Sequence, residues 1–390
     1  MSEEMKQPAE AIVAEIEARE DAGAGLATGA LGYATPRQLM WWKFKRHRLA
    51  MVASVVIILL YLTAIFADVL APYDPNRRHG VPWASPQLPQ VITEDGLRPV
   101  VAVYGLTGTI DPVTYQRVYT PDPSRVYRLR FFVRSEQPYR FLGLFDARLK
   151  LFGVEPGGSV FLFGTDRMGR DLFSRTLHGA RVSLSIGLAG VALSLLFGII
   201  LGGVSGYFGG IVDTLVQRLI EILFSFPTIP LWMALAAAVP REWGPMQEYL
   251  AITVILSVVG WTQLGRVVRG KFLSLREEDF VLAAQLGGAS QARVIFKHLL
   301  PSFYSHIIAA ITIAIPSMII AETALSFLGI GMKPPAISWG VLLQDAQSVY
   351  VVAMAPWLFF PVTFVVITVL AFNFIGDGIR DAADPYSEVT

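Results

Sequence analysis

The sequence predicts an all-α polytopic membrane protein with six transmembrane helices and a small β-rich external insertion. Three observations carry this. The 390 residues are 53% hydrophobic and only 16% charged, with a mean hydropathy of +0.51, whereas soluble chains carry about 25% charged residues. Six runs, 49–70, 182–206, 212–239, 249–268, 303–327 and 355–376, are apolar over the roughly 20 residues needed to cross about 30 Å of hydrocarbon. Between the first two runs, the stretch from Arg125 to Phe131 alternates polar and apolar at period two, as a strand does.

The same composition excludes much. A net charge of +1 offers no basic field for nucleic acid. The absence of cysteine removes disulfides, thiolate metal sites and cysteine nucleophiles. Five histidines, no two at zinc-binding spacing, give no metal centre. No catalytic residue is assigned.

In chain order, segment 1–35 is acidic, with Glu10, Glu15, Glu17 and Glu20, and reads as a disordered tail. Segment 36–71 comprises an interfacial helix and the first span. Thr35-Pro36 has the pattern of an N-cap followed by proline at the first helical position. Trp41, Trp42 and Phe44 suit the headgroup layer, and Lys43, Lys45, Arg46 and Arg48 hold this end in the cytoplasm. The first span is not a cleaved signal peptide, because 48 residues precede it and its apolar stretch is too long.

Six crossings then place 72–164 outside as an extracytoplasmic insertion, 269–302 inside, and both termini in the cytoplasm. The arginines of 125–140 read as the solvated face of a strand. Gly187, Gly198, Pro227, Pro230, Pro316 and Pro361 interrupt the spans, which membrane helices tolerate when neighbours satisfy the freed backbone. Arg218 and Glu221, three apart, are placed to pair. Glu322 is a carboxylate inside a span, near its outer end. It is a candidate for lining a pathway, anchoring a gate or pairing with a partner subunit, and a structural hydrogen-bonding role stands equally open.

The loop between the fourth and fifth runs is the most informative. Glu277, Glu278 and Asp279 favour the positive end of a short helix. Gly287-Gly288 breaks it, and a second helix carries Arg293 and Lys297 toward His298-Leu299-Leu300-Pro301. Ala283 and Ala284 leave room for another protein to approach. Upstream, Gly265 to Phe272 nearly matches a phosphate-binding loop. Phe272 stands where the magnesium-binding hydroxyl is required, no strand precedes it, and nucleotide binding is rejected there.

Ala283-Ala284, Gly288, His298 and Leu300-Pro301 together resemble the coupling ("EAA") loop of ATP-binding cassette (ABC) importer permeases, with Leu282 where the family has its leading glutamate. Leu70-Ala71-Pro72-Tyr73-Asp74-Pro75, the run Phe163 to Arg175, His178 to Leu184, Phe226-Pro227 and Ala321 to Gly331 narrow the likeness. They are similar to the C-type permease subunit of the dipeptide/oligopeptide/nickel family. The resemblance covers 36–75 and 160–385 and leaves the insertion at 76–160 outside it.

It implies a type I importer permease, with 165–390 as a five-helix permease domain and 270–301 as its cytoplasmic coupling loop. It implies no enzyme and no cofactor in this chain, ATP and magnesium being bound by two partner ATPase subunits. It further implies a second permease subunit forming a heterodimer, an extracytoplasmic substrate-binding protein, and residence among the lipids of a bacterial inner (plasma) membrane. Peptides or a similar small solute are the implied cargo, with oligosaccharides or another solute left open. A secondary transporter is the alternative of a different class; neither midplane charges nor inverted repeats are evident for it. A membrane-anchored receptor working through its external domain is the third.

Overall fold

Thr35 opens the first helix with a reciprocal cap: its Oγ1 accepts from the Gln38 N–H at 3.4 Å, and the Gln38 side chain accepts from the Thr35 N–H at 2.9 Å. This helix, α1 (Pro36–Arg46), ends at His47, whose Nδ1 caps the next by accepting from the Ala50 N–H at 3.1 Å. The computed structural model describes residues 35–94, 98–110, 112, 115, 117–240 and 242–383. The acidic tail expected over 1–35 therefore falls, but for Thr35, outside the described residues.

The apolar runs form long helices: α2 (Arg48–Ile65), followed by the short α3 (Ala67–Leu70), α4 (Leu172–Phe208), α5 (Gly210–Ser225), α6 (Thr228–Ala237), α7 (Pro245–Leu275), α11 (Tyr304–Phe327) and α14 (Phe360–Ala383). Between α7 and α11 lie α8 (Asp279–Leu286), α9 (Gln291–Arg293), a π-helical turn (Val294–Leu299) and α10 (Leu300–Ser302). Between α11 and α14 lie α12 (Trp339–Gln344) and α13 (Val349–Met354). Among the described residues, five helices are long and apolar enough to cross a membrane. The third predicted run supplies a pair, α5 and α6, bent by 91°, which makes six spans when the pair is counted as one broken span. Phe226-Pro227 makes the break: Phe226 is extended, as a residue before proline must be, and Pro227 opens α6.

Glycine sets a close contact between α4 and α7. Gly198, Gly202 and Gly206 form a stripe on α4 that meets α7. A Cβ on Gly198 would lie 2.9 Å from the Leu264 Cβ, one on Gly202 would collide with the Gly265 backbone, and one on Gly206 would lie 2.7 Å from the Arg269 carbonyl. The near-phosphate-loop run Gly265–Phe272 is a stretch of this packed α7 helix, with Phe272 fully buried. Arg269 on α7 forks onto Asp213 of α5 at 2.5 and 2.6 Å. Arg218 and Glu221 pair at 2.7 Å, as their spacing predicts.

A four-stranded antiparallel meander sits between α3 and α4: β1 (Gln90–Glu94), β2 (Arg98–Ile110), β3 (Arg117–Phe141) and β4 (Phe145–Val154), in that order. The predicted alternation falls inside β3. It stops at Phe131-Phe132, where Phe132 takes φ +53°. Tyr127 and Leu129 pack with Val103, Phe152 and Val160 in a small core reached by Phe173 of α4. The arginines face outward, with local partners: Arg130 on Glu155 at 2.6 Å and Arg125 on Asp122 at 3.6 Å.

Buried polar bonds brace the segments that connect the sheet and the helices. Asp166 accepts from the Arg170 side chain at 2.6 Å and from the Met168 and Arg170 amides, while Arg175 donates to the Pro75 carbonyl at 3.0 Å. Asp68, on α3, accepts from Arg181 at 2.7 Å, faces His178 at 3.1 Å, and accepts from the Leu142 N–H at 3.2 Å. Burial alone would raise the Asp68 pKa, but these bonds outweigh it and hold the carboxyl well below the usual range.

Candidate functional site

The loop between α7 and α11 is built on one cluster of apolar side chains. Val281 of α8, together with Val294 and Leu299 of the π turn, is fully buried. They pack with Val268 and Phe272 from α7 and Phe303 and Ile307 at the start of α11. A close-packed interior transmits displacement rather than absorbing it. The loop is thus joined rigidly to the helices on both sides.

Its far side is open. Phe280, Ala283 and Leu286 recur every three residues along α8 and are exposed, Leu286 to 90%. Phe280 and Leu286 flank the small Ala283, leaving a notch between two apolar side chains. Phe296, 65% exposed, adds to this surface. Ala284 turns the other way and packs on the buried cluster. The arrangement departs from an ordinary surface helix: beside the exposed Asp279 and Gln285, apolar groups stand where water would be.

Gly288 is required by backbone geometry. Its N–H donates to the Gln285 carbonyl at 2.9 Å and the Ala289 N–H donates to the Ala284 carbonyl at 3.0 Å, while Gly288 itself sits at φ +77°. This is a Schellman end to α8, whose left-handed position glycine fills without strain. No atom lies within 4 Å of where its Cβ would be. The constraint is conformational and not steric. Ser290 caps the returning helix by accepting from the Arg293 N–H at 3.4 Å. Pro301, without an N–H, follows the wide π turn, which closes with the Leu300 N–H on the Ile295 carbonyl. His298 is half-buried on this turn, Leu300 packs on the buried cluster, and Pro301 is exposed.

The residues singled out in sequence therefore occupy one small region, but in different capacities. Ala283 lies on the open face, Ala284 and Leu300 on the buried one, and Gly288 shapes the turn. The motif misses Phe280, Leu286 and Phe296. Their signal was their apolar character in a loop otherwise rich in charge.

Glu322 lies elsewhere, at the insertion end of α11, fully buried. It accepts from Ser183 of α4 at 3.2 Å, Ser326 at 2.8 Å and Ser338, the cap of α12, at 2.7 Å. Ser183 in turn accepts from the Trp339 N–H at 3.0 Å. In this conformation the carboxylate is a cross-brace among α4, α11 and α12, the hydrogen-bonding option of the sequence reading.

Comparison with known proteins adds to this geometry. Residues 194–387 match the family model described as binding-protein-dependent transport system inner membrane component. Residues 35–89 match the N-terminal TM domain of oligopeptide transport permease C. The chain is 39% identical over 232 residues to the oligopeptide transport system permease protein OppC of Bacillus subtilis, covering 59% of this chain and 73% of that protein. It is 41% identical over 230 residues to the dipeptide transport system permease protein DppC of the same organism, covering 59% and 70%. A chain of the MetNI methionine ABC transporter, in an inward-facing conformation, aligns at 20% identity with a TM-score of 0.43, over 54% of this chain and 96% of that one. The four-stranded sheet falls between the two matched segments.

Proposed function

This chain belongs to the family of binding-protein-dependent transport system inner membrane components, and on that premise we propose that its loop is the point at which an ATPase drives peptide import. It is a peptide permease of the C type in an ABC importer, a multi-pass protein of the inner membrane. The remaining parts of the machine are the proposal: a second permease subunit completing the pathway, two ATPase subunits holding ATP and magnesium, and a soluble binding protein delivering peptide on the far side. The basic flank Lys43–Arg48 supports an orientation with the amino end and the loop in the cytoplasm.

The observation that carries the reading is the pairing of an exposed apolar notch with a rigid root. Phe280, Ala283 and Leu286 offer a surface for a motor subunit, and Val281, Val294 and Leu299 tie that surface to α7 and α11. A partner that holds the loop differently in its open and closed states displaces these two helices together. Only the difference in binding between the states does this work, since equal affinity shifts no equilibrium.

The test is Ala283→Arg, which fills the notch with a long cation while leaving the buried root untouched. Assembly at normal expression with transport lowered about tenfold or more, the effect of roughly 1.4 kcal/mol of lost coupling, is the expected result. Wild-type transport by this variant would sink the docking role.

A further inference from the structure

The β3–β4 hairpin ends in an apolar tip held at the level where the first span leaves the membrane. α2 is 18 residues long, about 27 Å at 1.5 Å per residue, close to the hydrocarbon thickness of about 30 Å. Its last residue, Ile65, and the following Phe66 therefore stand at the boundary. Phe66 stacks on Phe141, the last residue of β3, at 5.8 Å between ring centroids. Asp68 accepts from the Leu142 N–H at 3.2 Å, and the Lys150 ammonium donates to the Asp68 carbonyl at 2.7 Å. The tip is thus tied to the end of the span at both strands.

Beyond these ties, Leu142, Leu144 and Phe145 are exposed to 46%, 74% and 68%. Through the Phe66–Phe141 stack they adjoin the end of α2, where Ile58, Leu62 and Ile65 are exposed, as is Phe66 just beyond it. The turn itself is unusual in composition. Leu142 and Gly143 take φ +51° and +75°, and the Leu144 N–H closes the turn on the Phe141 carbonyl at 2.9 Å. Such a turn favours Asn and Gly. A leucine there strains the backbone, and its side chain stays 46% exposed. Arg140, paired with Asp146 at 3.6 Å, the exposed Arg148 and the half-buried Tyr139 flank the tip. An apolar group bordered by arginine and tyrosine is the composition of a membrane interface.

We propose that the hairpin is a second membrane anchor: Leu142, Leu144 and Phe145 dip into the headgroup–acyl boundary of the leaflet on the insertion side. The lipid is the occupant because the tip adjoins the lipid-facing end of α2 and is tied at its boundary. The inference rests on α2 spanning the bilayer. It gives the sheet, which lies outside both family matches, a fixed position over the membrane beside the first span.

The chain contains no cysteine, so a single nitroxide label can be placed on it before it is assembled with its partner subunits. Leu144→Cys and Phe145→Cys report on the tip, Ile58→Cys on the span, and Arg117→Cys on the opposite end of β3. The measurement is power-saturation EPR in nanodiscs of phosphatidylethanolamine and phosphatidylglycerol, comparing oxygen with a water-soluble nickel chelate. Labels at 144 and 145 are expected to resemble 58, several-fold more accessible to oxygen than to nickel, with the order reversed at 117. Nickel accessibility at 144 and 145 equal to that at 117 would place the tip in water and overturn the proposal. Shielding from both reagents would also overturn it, by placing the tip under a partner subunit. Absence of the lipid signature at 58 would overturn it by another route, since the span that sets the depth would be misplaced.

Discussion

Gly288 separates conformational from steric demand. Its φ of +77° excludes ordinary side chains, yet open space surrounds its Cβ direction. Gly288→Val should strain the Schellman turn by about 1–2 kcal/mol and lower peptide transport while the spans stay folded. Gly288→Asn, which tolerates the left-handed region, should keep most activity. Transport by the two variants, normalised to membrane expression, distinguishes this from a role for side-chain volume. Glu322 makes the opposite demand. Glu322→Ala leaves the hydroxyls of Ser183, Ser326 and Ser338 without their acceptor, at a cost on the order of 3 kcal/mol. Glu322→Gln keeps one oxygen and should cost about 1 kcal/mol. Melting temperatures in detergent should fall in that order; equal melting points would contradict the cross-brace. Asp68 carries a pH prediction. Its folded pKa is depressed, so its contribution is full above the unfolded value of about 3.9 and lost only as pH falls through the lower folded value. Hydrogen exchange at the Leu142 amide, corrected for intrinsic rate, should stay flat from pH 8 to 5 and rise in Asp68→Asn.

At the scale of elements, the glycine stripe of α4 is the most demanding contact. Gly202→Leu should force α4 from α7 and destabilise the bundle by roughly 3 kcal/mol, lowering the melting temperature. An unchanged melting point would deny the close approach. Sequence reasoning found the spans because apolar length is a local property. It read Gly198 as an interruption, since the partner Leu264 lies far along the chain. It began the second span at 182, whereas α4 starts at Leu172. Arg175, His178 and Arg181 end the apolar run, and their partners at Pro75, Asp68 and Ala64 are contributed by another part of the fold. The bend at Phe226-Pro227 was visible as a proline but not as an angle, because membrane helices accommodate proline with or without a sharp turn. In the sheet, period two located part of β3. Its full extent depends on pairing with β2 and β4, which no local pattern encodes.

In the whole molecule, the sheet and the loop lie at opposite ends of the bundle, joined by α4, α7 and α11. Asp68, Asp166 and Glu322 fasten the sheet end. The cluster around Phe272 and Val281 fastens the loop end. Gly288 of the loop was legible because the backbone there needs a particular residue type. The exposed Phe280, Leu286 and Phe296 were not, because exposure is a property of the folded surface. The proposed function requires that surface to be gripped by a motor. The direct test is a photoactivatable cross-linker on Leu286→Cys, the single cysteine of the chain, in inside-out membrane vesicles. The expected result is an adduct with an ATPase subunit whose yield changes when ATP or a trapped transition-state analogue is added. Absence of any ATPase adduct from assembled transporter, or labelling of that cysteine by an impermeant thiol reagent applied to intact cells, would contradict it.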